Sequence, residues 1–267
     1  MAYETILIER TGGVAQLTLN RPDKFNALNH RMTTELIEAS KALSRDPEVR
    51  CVLLAANGRG FCSGADLTDG TMGQLPPDEM GRRIGEDMER YHHAATRALV
   101  RLEKPVVAAV NGAAAGGGMS LALSADVVIA AKSAFFVQVF TPQLGLVPDM
   151  GSSWFVPRLI GRARAVGMMM TGERIPAEKA EAWGMIWKCV DDAQLLTEAR
   201  ALAEKIAAGP TRGYAFLKRA MEASQQNGLD AQLDLERDLQ SVLARTEDFR
   251  EGVSAFGAKR KPAFKGR

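Results

Sequence analysis

Apolar and polar positions divide the chain into short strand patterns and longer helical ones. Ile6 to Arg10 and Val14 to Asn20 flank Thr11-Gly12-Gly13 and predict a β-hairpin. Arg21 to Asn29 reads as a loop. Helical spacing follows from His30 to Leu43, with Met32, Leu36, Ile37, Ala39 and Leu43 on one face. Val52 to Ala56 and Pro105 to Val110 are continuous apolar runs that predict buried strands, and a helix is expected from about Met80 to Leu102. Asp126 to Ala131 and Ala134 to Val139 read as short strands, and helices run on through Met170. Pro176 to Trp183 reads as a short helix with Pro at its first position, and Ile186 to Val190 as the last strand. Beyond Leu195 only helical patterns remain. The expected class is α/β, with a boundary near residue 200 that separates a repeated ββα core (1–200) from an all-helical region (201–267).

Two corners interrupt the apolar runs. Asn111-Gly112 ends one strand, and Ala114-Ala115-Gly116-Gly117-Gly118-Met119-Ser120 leads into a buried helix expected to start at Ser120. Three glycines let a ligand reach the backbone, where free N–H groups favour developing negative charge. That is half of an oxyanion hole. The other strand ends in Asn57 to Leu67, a second glycine-rich corner. Thr68 to Glu79 is polar and rich in Gly, Pro and Asp, and reads as a mobile segment over a pocket.

Gly60-Phe61-Cys62-Ser63-Gly64-Ala65-Asp66-Leu67, Lys104 to Gly112 and Gly116-Gly117-Gly118 together resemble the enoyl-CoA hydratase/isomerase (crotonase) superfamily. Three motifs in order, at the family's separations, make a specific signal, which one glycine run would not. The resemblance implies a spiral of ββα turns with a C-terminal helical region that builds a homotrimer or a dimer of trimers. It implies an acyl-CoA substrate and no metal or redox cofactor, since coenzyme A arrives with the substrate. The backbone N–H groups of Ala65 and Gly117 would hold the thioester oxygen. Coenzyme A contacts would fall at Lys24, Ala27, Ser63, Ala65, Asp66, Leu67, Phe256 and Lys259, and the acyl pocket at Met119, Ser120, Phe140 and Thr141. For Lys24 a solvated loop lysine is the competing reading, and for Lys259-Arg260-Lys261 a solvated chain end. Met119 and Trp154 fit core as well as pocket.

Hydratase members of that family use two glutamates, where this chain carries Ser120 and Thr141. Neither hydroxyl is a general base without a neighbouring one. Asp149, in Leu146-Val147-Pro148-Asp149-Met150-Gly151, stands where isomerase and some dehalogenase members carry their acid/base or nucleophile. One carboxylate in an apolar pocket suits a proton shuttle, because desolvation makes it a stronger base. The competing reading makes Asp149 the cap of a helix starting near Gly151. The resemblance then implies a 3-enoyl-CoA to 2-enoyl-CoA isomerase. Gly145 to Asp149 and Trp183 to Trp187 also look like the branch that isomerises the epoxide of phenylacetyl-CoA. A hydratase with another base, an aryl-CoA dehalogenase and a non-catalytic CoA-binding protein remain open.

Composition narrows this little. The 267 residues are 46% hydrophobic and 25% charged, as in an ordinary globular protein, and a net charge of +2 gives no reason to expect nucleic acid. Cys51, Cys62 and Cys189 are too few and too scattered for a disulfide framework or a zinc cluster, and read as structural thiols. No apolar run suits a leader or a membrane span, so a cytoplasmic location is expected. His92 and His93 are adjacent, point to different helix faces, and are assigned a surface or packing role.

Overall fold

A computed structural model describes residues 3–68 and 75–267; positions 69–74, half of the segment read as mobile, lie outside the described residues. Strands β1 (Ile6–Thr11) and β2 (Val14–Leu19) pair antiparallel around Gly12-Gly13. They lead to α1 (His30–Arg45), whose first turn is capped by the Asn29 side chain accepting the Met32 N–H at 2.8 Å. The next turn is β3 (Cys51–Ala56), β4 (Gly60–Cys62), α2 (Pro77–Asp87) and α3 (His93–Val100), and the third is β5 (Val106–Val110), β6 (Ala113–Ala115) and α4 (Gly117–Leu123). Then come β7 (Val127–Ala131), β8 (Phe135–Val137), α5 (Ser152–Ile160), α6 (Arg162–Thr171), β9 (Ile175–Pro176), α7 (Ala177–Ala182) and β10 (Lys188–Val190). Four helices follow: α8 (Leu195–Ala207), α9 (Thr211–Ser224), α10 (Leu229–Leu243) and α11 (Glu247–Gly257).

From the second turn on, the first strand joins a six-stranded sheet, in the order β1-β2-β3-β5-β7-β10, and the second joins a four-stranded sheet, β4-β6-β8-β9. All neighbours from β2 to β10 in the larger sheet run parallel. Such strands are covered on both faces, which is why Val106-Val107-Ala108-Ala109-Val110 is apolar without alternation and buried throughout. The spiral of ββα turns inferred from the sequence is therefore present.

Several boundaries move. The helix expected from Met80 to Leu102 is α2 and α3 joined by a π-helical turn, Met88–His92. Helix α4 starts at Gly117 rather than Ser120, and the last strand starts at Lys188 rather than Ile186. Pro176 is the N-cap of α7, not its first helical residue. The boundary drawn near residue 200 falls inside α8, whose Ala199, Ala203 and Ala207 are buried where the helix packs on β3, β5 and β7.

Two cations tie the later helices to the spiral. Arg50 donates to Thr211 Oγ1 (3.1 Å) and to the carbonyls of Gly209 (2.6 Å) and Phe264 (2.9 Å). Lys218 Nζ reaches the carbonyl of Leu102 at 2.9 Å and pairs with Asp126 at 2.8 Å. Cys51 and Cys62 are buried, and burial pushes both thiols up to about 12, so they remain protonated packing groups.

Candidate active site

The site is assembled from the loop after β2 and the corners after β4 and β6. Asn26 is fully buried, and its amide donates to the carbonyls of Asn57 (2.9 Å) and Gly60 (3.0 Å), which fastens the first loop to the β3–β4 turn. The Leu28 N–H donates to the Gly64 carbonyl at 2.8 Å, and the Asp66 N–H to the Leu28 carbonyl at 3.0 Å. This is an isolated parallel bridge between Leu28 and Ala65. Because the flanking residues make both bonds, the N–H of Ala65 is turned away from Leu28 and donates to no described group.

Gly117 is the first residue of α4, so its N–H has no partner within the helix. The two corners touch: a Cβ on Gly64 would lie 3.2 Å from the Gly117 nitrogen and 2.9 Å from the Ala115 carbonyl oxygen, and Gly64 has φ +94°. Only glycine satisfies both conditions. Helix α4 is pressed still closer to β4, since a Cβ on Gly118 would lie 2.1 Å from the Cys62 carbonyl oxygen.

A cleft of about 780 Å³, its open mouth included, lies beside these corners. Leu28, Ala65, Leu67, Ile84, Met88, Phe140, Leu144, Leu146 and Val147 supply apolar wall, and His30, Asp66, Asp87, His92 and Asp149 the polar positions. An apolar cleft with a few convergent polar groups suits a small-molecule ligand.

Asp149 reaches the cleft from the loop that precedes α5. Met150 (φ +51°) and Gly151 (φ +91°) are both left-handed, and they turn the chain sharply between the aspartate and the helix. The carbonyl of Asp149 is held by the Ser152 N–H (3.0 Å) and by Ser120 Oγ (2.9 Å). One of its carboxyl oxygens, Oδ1, is buried with no partner among the described residues. Burial pushes the Asp149 pKa up to about 6, and the residue's own backbone N–H offsets part of that rise. The N-cap of α5 is Gly151, with no side-chain cap bond, so the capping reading of Asp149 does not describe this geometry.

Other cleft carboxyls are committed. Asp66 pairs with Arg21 at 2.9 Å and accepts from Thr68; burial works to raise its pKa, but hydrogen bonds from Thr68 and Arg21 hold it below the usual range. Asp87 lies 3.0 Å from Arg83 Nε and 3.4 Å from His30 Nε2.

Of the residues read from the sequence, Ala65, Asp66, Leu67, Phe140 and Asp149 meet in the cleft wall. Gly117 is not in the wall; it is buried behind it, against Gly64, Leu28 and Met150. Met119 and Ser120 are fully buried, Met119 in the core and Ser120 in a network with Ser152 Oγ (2.6 Å), to which Gln138 also donates. Thr141 is exposed and donates to the Leu146 carbonyl at 3.0 Å, within the same loop. Trp154 lies outside the wall, edge-on to Phe155 and under Arg158. Lys24 and Ser63 are exposed neighbours, with Ser63 Oγ 3.5 Å from the Lys24 carbonyl, and Ala27 is buried beside them. Phe256 and Lys259 are exposed at the C-terminal end of α11 and do not line the cleft.

The sequence reading missed His30, Asp87 and His92 as wall residues. His30 stacks on Tyr91 with ring centroids 4.0 Å apart. His92, assigned to surface or packing, is buried and lines the cleft. A signal existed: Met88, His92, Ala95 and Leu99 fall on one helical stripe, and His92 is its polar exception.

The family model described as Enoyl-CoA hydratase/isomerase matches residues 9–267. A protein of Escherichia coli (strain K12) named 1,2-epoxyphenylacetyl-CoA isomerase is 48% identical over 264 residues, covering 99% of each chain. A Rhodobacter capsulatus protein named "Probable enoyl-CoA hydratase" is 46% identical over 268 residues and covers 100% of both. Among solved structures, enoyl-CoA hydratase from Bacillus anthracis superimposes with a TM-score of 0.90 at 31% identity, covering 99% of this chain and 100% of that one.

Proposed function

The chain belongs to the enoyl-CoA hydratase/isomerase family, whose substrates are acyl-CoA thioesters, and we propose that it is an acyl-CoA isomerase working through Asp149. The Asp149 carboxylate takes a proton from C2 of a 3-enoyl-CoA. The electron pair left behind moves into the thioester carbonyl, and the N–H groups of Ala65 and Gly117 stabilise the resulting dienolate. Each such donor lowers the barrier by about 2.7 to 4 kcal/mol. Asp149 then returns the proton at C4, and the product is the conjugated 2-enoyl-CoA. The reaction needs neither a metal nor a redox cofactor.

One observation carries this reading: of the three carboxyl groups that the described residues bring to the cleft wall, Asp149 holds a buried oxygen without a described partner, whereas Asp66 and Asp87 are paired with cations. A raised pKa near 6 leaves it ionised at neutral pH and strong enough as a base to work. Water addition is poorly supported. Ser120 and Thr141 stand at the hydratase glutamate positions, and both hydroxyls are engaged with backbone carbonyls.

A second reading rests on the 48% identity to 1,2-epoxyphenylacetyl-CoA isomerase. That reaction begins at the same α-carbon, so the same base and the same hole would serve it. The contacts expected for coenzyme A at Lys24, Ala27, Ser63, Asp66 and Leu67 fit either substrate. Those at Phe256 and Lys259 require a neighbouring subunit to carry its α11 towards the cleft.

Solvent deuterium incorporation at C2 of 3-enoyl-CoA, followed by mass spectrometry and NMR, tests the proposal. Asp149→Asn is expected to lower exchange and double-bond migration by about 10²- to 10⁴-fold. Undiminished migration in the variant, or water addition outpacing migration in the wild type, would remove Asp149 from its role.

A further inference from the structure

Two cleft-wall side chains carry buried polar atoms that no described group satisfies. One is Asp149. The other is His92, which is 8% exposed and has neither ring nitrogen in hydrogen-bond geometry with any described group. Leu28, Ile84, Met88 and Phe140 supply apolar side chains to the same wall. The neighbouring polar groups are already engaged: His30 with Asp87 and Tyr91, and Asp87 with Arg83 as well.

The backbone that carries the ring is held in place. His92 ends the π-helical turn Met88–His92, a local insertion that shifts side-chain direction and is common at functional sites. Its carbonyl accepts from Thr96 Oγ1 at 3.1 Å, and the same hydroxyl lies 3.4 Å from the carbonyl of Met150, the residue after Asp149. The turn that carries His92 and the loop that carries Asp149 are thus joined by one side chain.

Burial, and then the nearby His30, hold the His92 pKa below the usual histidine range. The Leu28 carbonyl, which faces the ring outside hydrogen-bond geometry, and Asp87 offset part of that effect. A neutral imidazole presents one N–H donor and one bare nitrogen. An oxygen can accept from that N–H, and a hydroxyl can also donate to the bare nitrogen.

We infer that His92 is the recognition element for an oxygen atom carried on the acyl group. The preferred substrates are then acyl-CoA thioesters whose acyl part bears a hydroxyl, epoxide or carbonyl oxygen, on a ring or chain that fills the apolar wall. This rests on the cleft being the acyl site of the proposed isomerase. A plain hydrocarbon acyl group would cover the imidazole and leave it unpaired, whereas an oxygenated one completes it. Sites built to hydrogen-bond a substrate oxygen discriminate strongly against the analogue that lacks it.

The test compares phenylacetyl-CoA with its 2-, 3- and 4-hydroxy derivatives, four ligands that differ by one oxygen, by titration calorimetry. The best hydroxy isomer is expected to bind wild type roughly tenfold or more tighter than phenylacetyl-CoA. That ratio should fall to about one in His92→Phe and recover in part in His92→Gln. In wild-type protein labelled with ¹⁵N-histidine, the His92 ring resonances should shift with the hydroxylated ligand and not with phenylacetyl-CoA, a readout independent of how either variant folds. Equal wild-type affinity for all four ligands, a ratio that survives in His92→Phe, or unmoved His92 resonances would each overturn the inference. Deuterium exchange into C2 of phenylacetyl-CoA by the wild type reports on Asp149 separately, so failure of the recognition role is distinguishable from failure of the isomerase reading.

Discussion

The Asp149 carboxyl links activity to stability through one proton. Its pKa stands at about 6 against an ordinary value of 3.8, because burial disfavours the charged form. Activity that needs the carboxylate should therefore fall about tenfold per unit as pH drops below 6. Stability runs the other way. A carboxyl whose folded pKa is raised favours the folded state in its protonated form, so this contribution is full below about pH 4 and is lost as pH rises through 6. Asp149→Asn, inactive but neutral, should be more stable than wild type at pH 8 by about 2 kcal/mol, a rise in Tm of roughly 4 °C, and no more stable at pH 4. Thermal melts at the two pH values check this. A variant less stable than wild type at pH 8 would mean that a partner stabilises the carboxylate.

The oxyanion corners depend on how closely α4 approaches β4, and that spacing is set by Gly118. Since the added Cβ would meet backbone at 2.1 Å, Gly118→Ala must push the helix off the strand. A loss of about 3 kcal/mol or more in urea unfolding is expected, together with loss of C2 exchange. Gly167, inside α6 with open space where its Cβ would lie, is the control: Gly167→Ala should gain about 0.5 to 1 kcal/mol. If both substitutions were equally harmless, close packing of α4 on β4 would not be what orients Gly117. Helix α1 was legible because its apolar spacing is regular, and strand β5 because it is a continuous apolar run ended by Asn111-Gly112. The π-helical turn was not, since one extra residue in a turn leaves the 3.6-residue stripe nearly intact in sequence while rotating His92 in space.

The surface of the later helices points to assembly. Leu217, Met221, Leu229, Leu233, Phe249, Val253 and Phe256 are exposed on α9, α10 and α11, Phe256 at 88%. Large apolar side chains exposed together on three successive helices are the kind of surface that a partner covers. We propose that a neighbouring copy covers it, giving particles of three or six chains of 28.9 kDa by light scattering. Phe256→Asp should shift the population towards single chains and weaken acyl-CoA binding together. A wild type that runs as one chain at micromolar concentration would remove the partner from the site.

The ββα order and the two glycine corners were readable without coordinates, because each is local: strand, turn and glycine requirements act within about ten residues of sequence. Ala65 and Gly117 as backbone donors and Asp149 as the base were marked by the resemblance of their motifs to the family, to which the local pattern added only the glycine corner and an apolar setting. The structure alone decided which polar groups remain uncommitted. Asp66 and Asp87 are as acidic in sequence as Asp149, yet Arg21, Arg83 and His30 engage them, and Ser120 turns out to hold a carbonyl beneath the cleft instead of facing it. Most of this commitment is long-range: Arg21, His30 and Ser120 reach Asp66, Asp87 and the Asp149 carbonyl across tens of residues that the spiral brings together, which no periodicity in the chain encodes, whereas Arg83 engages Asp87 from four residues away on the same helix.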